Sequence, residues 1–325
     1  MPAREDLRNI GILAHVDAGK TTFSEGLLYH TNTIREKGRV DHKNSHLDNH
    51  QLEKARGITI FFVQAVMKYK GDTYYLLDTP GHVDFSPEME RTILVLDYAI
   101  VIVSAVEGVQ GHTETVWQLL QKHQIPAFFF INKTDRDGAD VNRVLEEIKL
   151  NLTEDVFLIN DSSLEENMPE RLIEFTAERK EELLELYLKD KYDKNLWLNQ
   201  IQKMIKNNKL YVAGSGSALY DKGILEFFNN FHILTETNYK GEEFSGRIYK
   251  INHDEKSNRI SHMKILSGSL EVRDELTYDS EGEKVQEKIT QLRIYNGEKY
   301  RTIDKAEPGQ LVGVMGLSQT QAGQG

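Results

Sequence analysis

Cysteine is absent from this 325-residue chain, so disulfide stapling and thiolate metal sites are excluded and a reducing compartment, the cytoplasm, is expected. Long apolar runs are missing too. The longest, 98–106 and 126–131, are far too short to cross a bilayer and read as buried strands, while 1–9 is charged and lacks the apolar stretch of a secretion signal. No membrane partner is expected. Positive charge is scarce: 40 Lys and Arg against 51 Asp and Glu leave a formal net charge of −11. That balance argues against a surface that grips nucleic acid throughout and leaves room only for local RNA contact. What remains is ordinary for a folded protein, 39% hydrophobic and 28% charged, at a length that accommodates two cores.

The hydrophobic pattern changes texture twice along the chain. From 7 to 14 an apolar strand (Ile10, Ile12, Leu13) runs into a glycine-bearing turn and a helix opening at Thr21. Further strands are expected at 57–69, 73–77, 99–105, 127–131 and 210–214, separated by helical patterns such as 113–123 and 140–150. That alternation predicts an α/β fold with a doubly wound, mainly parallel sheet. Between 155 and 208, charged residues with Leu172, Ile173, Leu183, Leu184 and Leu188 at helical spacing predict a helical insertion packed on the surface. Its interspersed charges argue against a membrane or partner helix. Past 240, short alternating stretches at 244–251, 260–266, 271–278, 284–294 and 311–317 predict a small antiparallel β-barrel. The expected domains are 1–240, with the insertion at about 155–208, and 241–325. The tail 319–325 shows no apolar pattern.

Chemistry concentrates in short segments between these elements. Ala14-His15-Val16-Asp17-Ala18-Gly19-Lys20-Thr21 fits the phosphate loop GxxxxGK[ST] everywhere but its first position, where Ala14 stands for Gly. The loop's N–H groups, from His15 to Gly19, can cradle phosphates at a helix N-terminus. Lys20 can neutralise the β and γ charges, Thr21 can ligate Mg²⁺ through its hydroxyl, and Thr22 follows in the same turn. A chance glycine turn would carry similar letters; the strand before it and the helix after it favour the phosphate loop. Asp78-Thr79-Pro80-Gly81 also follows an apolar strand, which places Asp78 to hold Mg²⁺ through water and Gly81 N–H to sense a γ-phosphate. Alone it would be a Pro-Gly turn.

Asn132-Lys133-Thr134-Asp135 fits NKxD, the element that separates guanine from adenine. Asp135 can accept from guanine N1–H and the 2-amino group, whereas adenine would leave the carboxylate unpaired, so GTP is favoured over ATP. Lys133 would lie along the base, and Asn132 would tie this loop to the phosphate loop. Ser217-Ala218, with Leu219 beside them, can offer backbone N–H groups to guanine O6. Thr59, in Arg56-Gly57-Ile58-Thr59-Ile60, is the candidate for a second hydroxyl on Mg²⁺, although alone it would be a β-branched residue opening a strand. His82, next to Gly81, is placed to orient the water that attacks the γ-phosphate. The other histidines, His42, His46 and His50 among them, show no metal-ligand spacing and read as solvated switch-loop residues.

Taken together, the segments AHVDAGKT, RGITI, DTPGHVDF, NKTD and SA resemble the translational GTPases, closest to elongation factor G and the tetracycline ribosomal-protection proteins. Ala14 in place of Gly is that subgroup's habit. The resemblance implies a GTP/GDP switch with Mg²⁺, in which His82 is the catalytic histidine, swung in by large-subunit ribosomal RNA. Val16 and Ile58 match the family's hydrophobic gate, and Asp17 would help hold a monovalent cation such as K⁺ in some members. It also implies a β-barrel second domain that meets the small subunit, with a Pro-Gly motif like Glu307-Pro308-Gly309, and a monomeric state. The insertion resembles that of the ribosomal-protection branch. Because members of the family continue beyond the barrel, a fragment of a longer protein is expected. Two other readings stand beside ribosomal protection: a housekeeping translocation GTPase like elongation factor G, and a GTP-regulated ribosome-binding module with negligible hydrolysis. Asp135 disfavours a generic P-loop ATPase or kinase.

Overall fold

Three consecutive phenylalanines show how the first sheet is built. Phe128, Phe129 and Phe130 are all fully buried on one strand, so both faces of that strand must be covered. Phe130 packs against Phe23 on one side, with ring centroids 4.8 Å apart, and Phe129 against Trp117 on the other, at 5.4 Å. The computed structural model describes residues 6–37, 63–78, 86–160, 164–165, 168–189, 192–297 and 299–325.

Among these residues the chain forms β1 (Leu7–Ala14), α1 (Lys20–His30), β2 (Val63–Tyr69), β3 (Asp72–Asp78), α2 (Ser86–Ile93), β4 (Tyr98–Ser104), α3 (Gly111–Lys122), β5 (Ala127–Asn132) and α4 (Val141–Asn151). Then come β6 (Val156–Leu158), α5 (Glu170–Ala177), α6 (Glu181–Leu188), α7 (Lys194–Lys206), β7 (Tyr211–Ser215) and α8 (Ile224–Leu234). The strands make one 7-stranded sheet in the order β2-β3-β1-β4-β5-β7-β6, parallel except for the antiparallel edge pair β2–β3. Strand order reverses at β1, between β3 and β4, and such a reversal opens a crevice beyond the carboxyl ends of the strands.

The strand expected at 57–69 is described only from Val63, and 57–62 lies outside the described residues. The insertion expected at about 155–208 is helical from Glu170 on, but its first residues are strand. Val156-Phe157-Leu158, too short an apolar run for a helix, pairs in parallel with β7 as the sheet's last strand.

Beyond α8 the pattern turns antiparallel, with β8 (Ser245–His253), β9 (Arg259–Ser267), β10 (Leu270–Glu271), β11 (Glu275–Ser280) and β12 (Glu283–Lys288). β13 (Gln291–Asn296), β14 (Lys299–Ile303), β15 (Lys305–Ala306) and β16 (Leu311–Met315) follow. The antiparallel second domain expected from the sequence is present: among the described residues its strands form a 5-stranded sheet, β14-β13-β16-β9-β8, and two 2-stranded ribbons, β10–β15 and β11–β12. The tail lies along β8: Ile248 N–H donates to Gln324 O (2.8 Å) and Gly323 N–H to Ile248 O (2.7 Å). Thr320 in this tail is buried, its hydroxyl 2.7 Å from that of Ser261.

The two sheets are joined by buried polar groups. Lys264, on β9, donates to Val95 O (2.9 Å) and pairs with Asp97 Oδ1 (2.7 Å) below the first sheet. Asp97 Oδ2 accepts from Asn9 N–H (2.7 Å) and Tyr239 O–H (2.5 Å), and Asn9 Nδ2 also donates to Gly309 O in the Pro-Gly turn (2.9 Å). Burial, reinforced by the neighbouring carboxylate, holds the Tyr239 phenol well above its usual range, so it stays a donor. At the other contact, Gly297 N–H donates to Gln64 O (2.7 Å) and Val66 N–H to Asn296 Oδ1 (3.1 Å), which covers the outer edge of β2. Lys264→Met is expected to cost about 3 kcal/mol, because it leaves the largely covered Asp97 (side chain 14% exposed) without its cation. Calorimetric melting checks this; an unchanged midpoint would show that the pair contributes nothing.

Candidate nucleotide site

The candidate loops leave the carboxyl ends of neighbouring strands. Residues 15–19 follow β1, Asp78 ends β3, 133–135 follow β5, and 217–219 lie just past β7. Parallel register places them on one rim: Ile12 is level with Asp78, Ala14 with Ile102, Ser104 with Asn132, and Ile131 with Ser215.

The phosphate loop needs two left-handed residues, Asp17 (φ 62°) and Gly19 (φ 95°), to turn from strand into helix. Ala18 N–H closes the turn on His15 O (3.1 Å) and Phe23 N–H bonds Gly19 O (2.9 Å), so α1 begins with its first amides directed at the mouth. Lys20 and Asp78, both buried, form an ion pair across that mouth. Thr21 and Thr22 open the helix beside them; Val16 is half-buried and Asp17 exposed.

Asn132 links the loops. Its Nδ2 donates to Ala18 O (2.8 Å) and its Oδ1 accepts from Ala218 N–H (2.9 Å), so one side chain ties the phosphate loop to the loop after β7. Thr134 N–H adds a bond to Gly216 O (3.2 Å). Lys133, itself left-handed (φ 63°), reaches Glu107 at 3.4 Å, and Asp135 lies 4.0 Å from Arg136 Nε. A carboxylate at this rim, two residues after a lysine, suits the edge of a purine. No room is left behind Gly19: a Cβ there would lie 2.3 Å from Asn132 Nδ2. Gly19→Ala is expected to displace Asn132, adding about 1–2 kcal/mol of left-handed strain, and to weaken GDP binding about tenfold or more. Titration with GDP reads this, and wild-type affinity would count against the role of the contact.

The expectation that Ser217 and Ala218 turn their amides to the base is modified. Ser217 N–H donates to Lys222 O (3.0 Å) and Ala218 N–H to Asn132, because the hairpin must close and the Asn132 amide must be satisfied at both ends. Leu219 N–H is the amide of this loop with no partner among the described residues. Ser217 Oγ, also buried, has none there either. Thr59, Ile58, Gly81 and His82 lie outside the described residues, as do His42, His46 and His50.

Other histidines are not the solvated residues expected. His262 is buried in the second sheet with Nε2 2.9 Å from Asn252 Oδ1, and its pKa is pushed down to about 3 by burial, so it is neutral. His232 packs edge-on to Tyr69, and His112, which opens α3, sits 6.5 Å from the His15 ring. Nothing local in the sequence marks Glu107, His112 or Lys222 as neighbours of the site, since the first two follow β4 and the third follows β7, away from the motif-bearing segments.

A phosphate loop on β1, a carboxylate ending β3 and an NKxD loop after β5 define a P-loop nucleotide-binding protein. Residues 5–266 match the family described as the elongation factor Tu GTP binding domain, and 243–325 match elongation factor G domain 2. The chain belongs to the translational GTPase family. It is 38% identical over 317 residues to the tetracycline resistance protein TetM from transposon Tn1545 of Enterococcus faecalis, covering 94% of this chain and 48% of that protein. To TetS of Listeria monocytogenes it is 35% identical over 315 residues, again covering 94% and 48%. The chain thus spans about half the length of the curated relatives it matches. A crystal structure of a Thermus thermophilus protein superposes with a TM-score of 0.82 at 23% identity, over 98% of this chain and 53% of that one, which shows the shared fold.

Proposed function

We propose that the chain binds GTP and GDP with Mg²⁺, hydrolyses GTP, and serves as the nucleotide-operated part of a ribosome-acting factor of the tetracycline-protection type. The observation that carries this reading is the Asn132 bridge, which holds the phosphate loop, the Asp135 loop and the 217–219 loop in one mouth. Lys20 would take the β and γ charges, Asp135 the guanine N1–H and 2-amino group, and Leu219 N–H, with Ser217 and Ala218 beside it, guanine O6. The Thr21 hydroxyl and the buried Asp78 carboxylate are hard oxygen donors that suit Mg²⁺, with Thr59 as a further hydroxyl. When bound, that cation would neutralise charge on the phosphates. Among the described residues no three acidic or histidine side chains converge on a metal, and an ion carried in on phosphates and water does not need them. Exposed Asp17 would assist a monovalent cation such as K⁺.

Catalysis would rest on positioning and electrostatics, with His82 orienting water when ribosomal RNA engages it, and no covalent intermediate. Residues 1–240 would form the nucleotide domain and 241–325 the domain that meets the small subunit. We place the protein in the cytoplasm as a monomer; no described helix is long and apolar enough to cross a membrane. The names of the relatives TetM and TetS support tetracycline protection. The test is GTP turnover with and without ribosomes, followed by translation in vitro under tetracycline. Ribosome-stimulated turnover with translation restored supports the proposal. Stimulated turnover that drives tRNA movement instead would mean a translocation factor, and ribosome binding without turnover would mean a GTP-regulated binding module.

A further inference from the structure

We propose that Asp221 is a positioning residue for the base-reading loop, pinning its hairpin through Lys37 to the segment that follows α1 and so setting how long a guanine nucleotide stays bound. The inference rests on the reading of 217–219 as guanine contacts. Ser217 and Lys222 bond each other in both directions, N–H to O at 3.0 Å each way, so Asp221 cannot shift without moving Ser217. Between them the chain turns through a left-handed Asp221 (φ 60°), a conformation that Asp and Asn tolerate better than most residues. Its carboxylate leaves the hairpin and pairs with Lys37 Nζ, while His30 Nε2 at the end of α1 lies 3.3 Å from the same oxygen.

The hairpin and α1 meet at close range. A Cβ on Gly26 would fall 2.6 Å from Ile224 Cδ1 and 3.5 Å from Asp221 Oδ1, so the helix has no side chain where the carboxylate passes. From there the linkage runs on: Ser217 leads into Ala218, whose N–H is held by Asn132, and Asn132 holds the phosphate loop. One surface carboxylate therefore connects the end of α1 and the segment after it to the loop read as facing the base. Because Asp221 is about one-third exposed (35%), the pair is screened and its effect is modest.

The experiment follows dissociation of a fluorescent N-methylanthraniloyl GDP from the wild type, Asp221→Asn, Lys37→Met and the double variant. Asn keeps the size and the left-handed tolerance and removes only the charge. Each single variant should release the nucleotide about three- to fivefold faster, and the double variant no faster than either single one, since both break the same pair. Added salt should speed release from the wild type but not from Asp221→Asn. The melting midpoint without nucleotide should move by no more than about 1–2 °C. Wild-type release from Asp221→Asn, additive effects in the double variant, or a large fall in the nucleotide-free midpoint would each overturn the proposal. A wild type with no preference for GDP over ADP in equilibrium titration would overturn the guanine reading beneath it, separately from the release rates.

Discussion

Asp135→Asn is expected to lower GTP affinity by about two to four orders of magnitude and to transfer the preference to xanthosine nucleotides. Guanine presents two donors on one edge, N1–H and the 2-amino group, and a single carboxylate accepts both. Hydrogen bonds to a charged partner are worth about 1.5–3 kcal/mol each, and the amide replaces one acceptor with a donor facing another donor. Xanthine carries a 2-oxo group there, which the new amide can satisfy. Asp135 is positioned for such an exchange: its side chain is 18% exposed, with Arg136 Nε 4.0 Å away, and its loop is held through Asn132 and Thr134 rather than through the carboxylate itself. The variant should therefore fold and keep its phosphate contacts. Competition between GTP and xanthosine triphosphate reads the switch, and unchanged GTP affinity would refute the assignment.

His82→Ala is expected to leave GTP binding intact and to remove about 10²–10⁴-fold of ribosome-stimulated turnover, the range that one positioned proton-handling group supplies. Asp78 ends β3 beside Lys20, and His82 follows four residues later, just past the glycine whose amide would face the γ-phosphate. Lys20, Asp135 and Asn132 are untouched by the substitution, so ground-state binding should survive. Single-turnover hydrolysis on ribosomes, alongside equilibrium GTP binding, separates the two effects. Wild-type stimulated rates in the variant would remove His82 from catalysis, and a matching loss of affinity would make it a binding residue.

The candidate nucleotide site was legible where a short stretch of chain carries its features. A glycine that must be left-handed, a lysine at a helix start and a carboxylate after an apolar strand announce themselves locally, and β1, β3, β5 and β7 carry them to one rim. Buried parallel strands were equally plain, since Ala127 to Ile131 and Tyr98 to Val103 are continuous apolar runs. What escaped depends on distant partners. Val156 to Leu158 is too short to signal a strand until β7 lies beside it, and 319–325, with no apolar alternation, pairs with β8 through its backbone. Alternation marks the antiparallel strands of the second domain but not their order in the sheet, because every pairing presents the same period of two. Nothing local in the sequence marks Lys264 as buried; only the fold shows it reaching Asp97 under the first sheet.

The most direct measurement is calorimetric titration of the chain with GDP and with ADP, each in the presence of Mg²⁺. The site formed by Asn132, Asp135 and Lys20 predicts GDP binding at least about a hundredfold tighter than ADP, and ADP affinity within a fewfold of that for GDP would contradict the guanine-specific reading at its root.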